Sequence, residues 1–157
     1  MPEFYLPSIH ELLDIVFRLI CAALAGAVIG WEREAKEKPV GLRTHMLVSL
    51  GAAIFVLVPI LNGDVAKSPD ALSRTIQGVA TGVGFLGAGE ILHISHPQVG
   101  KAGKHRIRGL TSAAAIWISA ALGIAAGCGL WYLSAIAALL SLIVLRILKR
   151  LELNRFQ

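Results

Sequence analysis

The chain has 157 residues, 55% of them hydrophobic and 16% charged, with a mean hydropathy of +0.69. A water-soluble domain carries fewer apolar and more charged residues, so this composition argues for a helical membrane protein of one domain. The formal net charge of +5 does not indicate a nucleic-acid partner, because the basic residues lie in short clusters between apolar runs and not on one solvated face.

No Lys or Arg precedes the first apolar run, and no small-residue cleavage site follows it at the spacing of a secretory signal. The run is therefore expected to be a membrane span. A span needs about 20 largely apolar residues to cross roughly 30 Å of hydrocarbon. Five segments meet or approach that length: 9–31, 42–61, 74–94, 110–126 and 129–148. Ser8 with Glu11 fits a capping box at the start of the first. Ser68-Pro69-Asp70 offers an N-cap, a proline at the first helical position and an acid in the first turn, so the third helix is expected to begin near Pro69. The fourth span is short, and Gly127-Cys128-Gly129 should turn it tightly into the fifth. The predicted fold is all-α and polytopic: five transmembrane helices in a single domain over residues 1–157.

Orientation follows from the basic residues of the short connections. The loop after the first span holds Arg33, Lys36, Lys38 and Arg43; the 95–109 loop holds Lys101, Lys104, Arg106 and Arg108; the C-terminal end holds Arg146, Lys149, Arg150 and Arg155. The N-terminal stretch and the 127–129 turn hold none, and the 62–73 loop holds only Lys67. The clusters alternate along the chain, which predicts an outside N-terminus and a cytoplasmic C-terminus.

Residues 78–92 read GVATGVGFLGAGEIL. In water each glycine would weaken a helix by about 1 kcal/mol relative to alanine. Between membrane helices, small residues instead permit close approach. At 100° per residue, Gly78, Gly82 and Gly89 share one face, and Gly84 and Gly87 fall nearly opposite. The third span is accordingly expected at the centre of the bundle. The stripe Ala22, Gly26 and Gly30 on the first span is its expected partner.

Beside that stripe runs a line of Asp14, Arg18, Ala25 and Glu32. Asp14 and Arg18 are four apart and can pair on one helix face; ionisable groups at membrane depth are functional candidates. Cys21 and Cys128 belong to no CxxC pair or metal spacing and read as structural. GAVIGWERE followed by a basic loop and a returning span is echoed by GFLGAGEIL, another basic loop and another returning span. Such a parallel internal repeat would make Glu32 and Glu90 equivalent carboxylates near the cytoplasmic boundary, with Arg43 and Arg108 flanking the return helices.

GAVIGWERE, PVGLRTHMLVSLGAA, GVGFLGAG and RGLTSAAAIWISAALGIAAG, in this order, resemble the MgtC/SapB family of bacterial inner-membrane proteins over roughly residues 15–130. The resemblance implies a five-span hydrophobic domain and a regulatory role in growth under magnesium limitation, with virulence in intracellular pathogens. The best-known member is linked to inhibition of the proton-driven ATP synthase. By motif, the implied functional residues are Glu32, Arg33 and Glu34; Arg43, Thr44 and His45; the glycine-rich segment; and Arg108 with Thr111. Two features depart from the family pattern: the RGLTT of other members reads RGLTS here, keeping a hydroxyl at Ser112, and the glycine run closes on Glu90. Many members also carry a cytoplasmic C-terminal domain, whereas this chain stops soon after the fifth span.

Two function classes remain beside the reading of a small structural helical bundle whose charges only fix topology. One is a regulatory or interaction protein, surrounded by membrane lipid, that forms homo-oligomers or docks a larger membrane complex through its small-residue faces. In that class a cytoplasmic ring of Glu32, Arg33, Glu34, Arg43 and Arg108 would set specificity. The other is a cation pathway or sensor with Asp14, Glu32 and Glu90 as metal candidates, since Mg²⁺ keeps several waters and needs few carboxylates. Against it, Arg18, Arg33 and Arg43 would repel a divalent ion, and few polar residues connect the two ends. No cofactor is implied beyond that ion. No nucleophile elbow, phosphate loop or HExxH is present, so an enzyme is not expected. His93, His96 and His105 lie in or beside a basic loop without ligand spacing and read as solvated.

Overall fold

The computed structural model describes residues 7–68, 70–94 and 109–148, and all regular structure in them is helical. Pro69, Arg108, the rest of the 95–108 loop with His96 and His105, and Lys149, Arg150 and Arg155 lie outside the described residues, as does the His93 side chain. The six α-helices are α1 (Ile9–Glu34), α2 (Leu42–Leu61), α3 (Asp64–Lys67), α4 (Asp70–Ile94), α5 (Leu110–Gly127) and α6 (Trp131–Ile143), the last continuing as a π-helical turn over Val144–Leu148.

The capping box forms as the sequence predicts. Ser8 Oγ accepts from the Glu11 amide at 3.3 Å, and Glu11 Oε2 accepts from the Ser8 amide at 2.7 Å. From there α1 runs without a break for 26 residues, about 39 Å at 1.5 Å per residue, and so carries Glu32, Arg33 and Glu34 on a helix and not in a loop. The expected hairpin of α5 and α6 is present, turned at Cys128–Leu130 with Gly129 in the left-handed region at φ +81°, a conformation glycine adopts without a Cβ penalty.

α1, α2 and α5 pack against one another as the core. α6 lies on α1 and α5, while α4 lies on α5 and, less extensively, on α2. α5 therefore holds the central place expected for the glycine-rich α4. The reason lies in which glycines are approached. A Cβ on Gly26 would sit 2.5 Å from the His45 carbonyl oxygen, one on Gly30 2.7 Å from Leu42 Cα, and one on Gly127 2.8 Å from the Ala53 carbonyl oxygen. The close crossings are thus α1 with α2 and α5 with α2. On α4, Gly78, Gly82, Gly84 and Gly89 face open space, and only Gly87 meets a neighbour, Ala113 of α5. The α1 stripe packs on α2 and not on α4, and Ser49 Oγ of α2 donates to the Ala22 carbonyl at 2.7 Å across that seam.

Among the described residues, α1, α2 and α5 are long and apolar enough to cross a membrane, and Trp131–Arg146 forms a shorter apolar helix. α4 has the length, but glycine together with Ser73, Arg74, Gln77, Thr81 and Glu90 dilutes its apolar character. Large apolar side chains such as Leu13, Leu24, Phe55 and Leu139 point outward, as in a bundle whose solvent is hydrocarbon. Phe17, Trp131 and Tyr132 form an edge-to-face chain, with centroids 6.1 and 6.0 Å apart, where α1 meets the start of α6.

Candidate functional site

The last turn of α1 sends its three charges in different directions. Glu34 is exposed, and its Oε2 accepts from the Leu42 amide at 2.8 Å. It thereby caps α2, whose own N-cap residue, Gly41, has no side chain to do so. Arg43, Thr44 and Thr111 are exposed as well. Glu32, Arg33 and His45 are buried, at 2%, 4% and 0% exposure. Of the ring expected at the cytoplasmic boundary, Glu34 and Arg43 are thus exposed, Glu32 and Arg33 are buried in a node with His45, and Arg108 lies outside the described residues.

Arg33 is the centre of the node. Its Nη2 donates to Ser112 Oγ on α5 at 2.7 Å. The carboxylates of Glu32 and of half-buried Glu90 on α4 are the negative charges acting on it. Glu32 also pairs with Lys36 one turn on, and Lys36 Nζ donates to the Leu145 carbonyl at 3.2 Å, which ties the end of α1 to α6 and its π turn. One turn into α2, His45 Nδ1 lies 2.9 Å from Ser119 Oγ. That hydroxyl also donates to the Ala115 carbonyl at 3.0 Å. The remaining polar atoms, Glu32 Oε2, Arg33 Nε, His45 Nε2 and Glu90 Oε1, are buried without a hydrogen-bond partner. The node therefore joins four helices by charge while leaving donors and acceptors unfilled.

The expected pairing of Asp14 with Arg18 is present, Nε to Oδ2 at 2.7 Å. Arg18 also donates from Nη1 to the Gly127 carbonyl at 3.1 Å, so it clamps α1 to the C-terminal end of α5, where a cation is favoured. Arg18→Met should lower bundle stability by about 1 kcal/mol, the usual worth of one such hydrogen bond. Thermal unfolding in detergent checks this, with Asp14→Asn expected to cost less. A crevice of about 270 Å³ beside this pair is lined by His10, Glu11, Asp14 and Arg18 together with Leu57 and Leu61.

Asp14 stands 18 positions before Glu32 on the same helix, about 27 Å along the axis, so the two cannot share an ion. No group of three or more His, Cys, Asp or Glu side chains among the described residues is arranged to hold a metal. His45, Ser49, Ser119 and Ser134 are also buried between the helices. The serines are tied to neighbours, Ser134 Oγ donating to the Leu122 carbonyl at 2.9 Å. Sequence reasoning missed Lys36, Ser49, Ser119 and Ser134 as core contacts. The seven-residue spacing of Ser112 and Ser119, two turns on one helix face, was the signal that could have found that pair.

Two apolar grooves flank α4. One, of about 810 Å³, runs between α4, α5 and α6 past Gly84, Gly87 and Trp117. The other, of about 670 Å³, runs between α2 and α4 past Gly51, Gly78 and Gly82. The two glycine faces of α4 thus look into two different grooves.

A family model described as the MgtC family matches residues 19–154. Protein SrpB of Synechococcus elongatus is 49% identical over 154 residues, which cover 97% of this chain and 84% of SrpB. YhiD of Escherichia coli K12, whose name marks it as a candidate magnesium transporter, is 38% identical over 142 residues. Protein MgtC of Salmonella typhimurium is 37% identical over 135 residues. The matched segments make up 88% and 86% of this chain, and the chain spans 62% of YhiD and 52% of MgtC. No solved structure matches.

Proposed function

The chain belongs to the MgtC family, and from that premise we propose that it is a regulatory or interaction protein of the bacterial inner membrane, serving adaptation to low magnesium. In this reading five helices cross the bilayer, α4 and α6 included, with the N-terminus outside and the C-terminus in the cytoplasm. The chain performs no enzymatic step. Its partner is another membrane complex, for which the proton-driven ATP synthase is the example the family offers.

One observation carries the reading. The charges at the end of α1 tie it to its neighbours: Arg33 donates to Ser112 of α5, and Lys36, which pairs with Glu32 one turn back, donates to the Leu145 carbonyl. An ion pathway needs polar groups that face an open, wet route. Here the grooves beside α4 are walled by apolar side chains. Charges spent on holding helices together support a scaffold whose surface acts on a partner.

A second reading, Mg²⁺ transport or sensing, is favoured by the name of YhiD and by the two carboxylates, Glu32 and Glu90, that act on Arg33 from different helices. Mg²⁺ entry into sealed vesicles carrying the purified protein separates the two. The regulatory reading expects entry equal to that of empty vesicles at every imposed potential. Entry that disappears in a Glu32→Gln/Glu90→Gln double variant would establish transport instead.

A further inference from the structure

α4 turns its polar side away from the bundle. At 100° per residue, Asp70, Ser73, Arg74, Gln77 and Thr81 fall within about a third of the helix circumference, and all five are exposed. Val83 and Gly87, on the other side, are buried against α5 and its neighbours. The inference rests on the reading of α4 as a membrane span. Gln77 then lies about 10 Å, and Thr81 about 16 Å, from the outer end of the helix, both at hydrocarbon depth.

Hydrocarbon supplies no hydrogen bonds, so polar side chains at that depth are strongly disfavoured unless another protein surface meets them. Thr81 satisfies its own hydroxyl by donating to the Gln77 carbonyl at 2.8 Å. The Gln77 carboxamide has no partner among the described residues. A lipid tail cannot provide one.

We infer that this outward face of α4 is the contact between two copies of the chain, related by a two-fold axis along the membrane normal. Copies inserted in one orientation hold like residues at like depth, so the surface must be complementary to itself. This one is. A carboxamide carries both a donor and an acceptor and can pair with its own copy. Asp70 and Arg74 stand one turn apart, about 6 Å along the axis, a gap the long Arg74 side chain would cross to meet Asp70 of the other copy in place of its 3.4 Å hydrogen bond to Ser68 Oγ. Gly78 and Gly84, at the margins of the face, meet nothing within 4 Å in their own chain, which lets the two backbones come close.

Single cysteines test this in native membranes, with Cys21 and Cys128 replaced by alanine. Thr81→Cys should give an oxidatively linked species of twice the chain mass. Its yield should exceed several-fold that of Leu24→Cys on α1 and Leu139→Cys on α6, which are exposed apolar controls. Adding Gln77→Leu should lower the Thr81→Cys yield several-fold. A membrane-impermeant maleimide reports on the span itself. Protection of Thr81→Cys without the linked species, equal yields at all three positions, or linkage to a protein of another mass each overturns the pairing of copies. Ready labelling of Thr81→Cys in intact vesicles overturns the spanning placement of α4 instead.

Discussion

Gly123→Leu is expected to abolish the folded bundle. In the central helix α5, a side chain at this position would enter the backbone of α2 at Ser49, whose carbonyl carbon lies 2.7 Å and Cα 2.9 Å from the place of its Cβ. Overpacking in a core that can shift typically costs about 1–3 kcal/mol. Here the obstruction is main chain, and it cannot rotate away. Retreat of α2 would also strain the Ser49 hydrogen bond to Ala22 and the contacts at Gly26 and Gly30. A loss above about 3 kcal/mol removes a large share of the 5–15 kcal/mol by which folded domains are stable. Size-exclusion profile and thermal midpoint in detergent measure it. Gly82→Ala is the counterpart: its Cβ meets nothing within 4 Å, so the isolated protein should be unchanged or stabilised by up to about 1 kcal/mol through helix propensity. Equal damage from both substitutions would mean that α4, not α5, is the central helix.

That contrast also marks what the sequence disclosed. Helix positions, the α5–α6 hairpin, the Ser8–Glu11 box and the Asp14–Arg18 pair were legible because each rests on local spacing. The placement of α4 was not. A glycine run states that a helix can be approached closely, but it does not name the neighbour. Five glycines in residues 78–92 outweighed the dispersed Gly123 and Gly127 of α5, although only the latter two are closely approached by a neighbouring backbone. Their signal was weak because α5 is small-residue-rich on all sides, so no single stripe stood out. Similarly, the motif residues Glu32, Arg33, Glu34, Arg43, Thr44 and His45 looked like parts of one charged and polar cluster. The helical step of 100° buries three and exposes three, and only the three-dimensional seam between α1 and α2 decides which.

The buried node yields the other large effect. Arg33→Leu should destabilise the bundle by about 3–5 kcal/mol, because removing one partner of a buried charge cluster leaves the others uncompensated. Glu32 still has Lys36, so the charge left most exposed to loss is Glu90, whose Oε1 has no hydrogen-bond partner. The double variant Arg33→Leu/Glu90→Leu should therefore recover much of the loss, since replacing a buried ion pair by apolar side chains is often neutral. Arg33→Lys should recover less, because a lysine presents one ammonium where the guanidinium reaches Ser112 with one nitrogen while its charge meets two carboxylates. Thermal midpoints of the wild type, both single variants and the double give the coupling directly. Additive losses would show that Glu90 acts independently of Arg33, and α4 would then be held on the bundle by its apolar contacts with α5 and α2 alone. A coupling of several kcal/mol would instead make the attraction between Arg33 and Glu90 the electrostatic tie that fixes the C-terminal end of α4, and with it the spacing of the two grooves on either side.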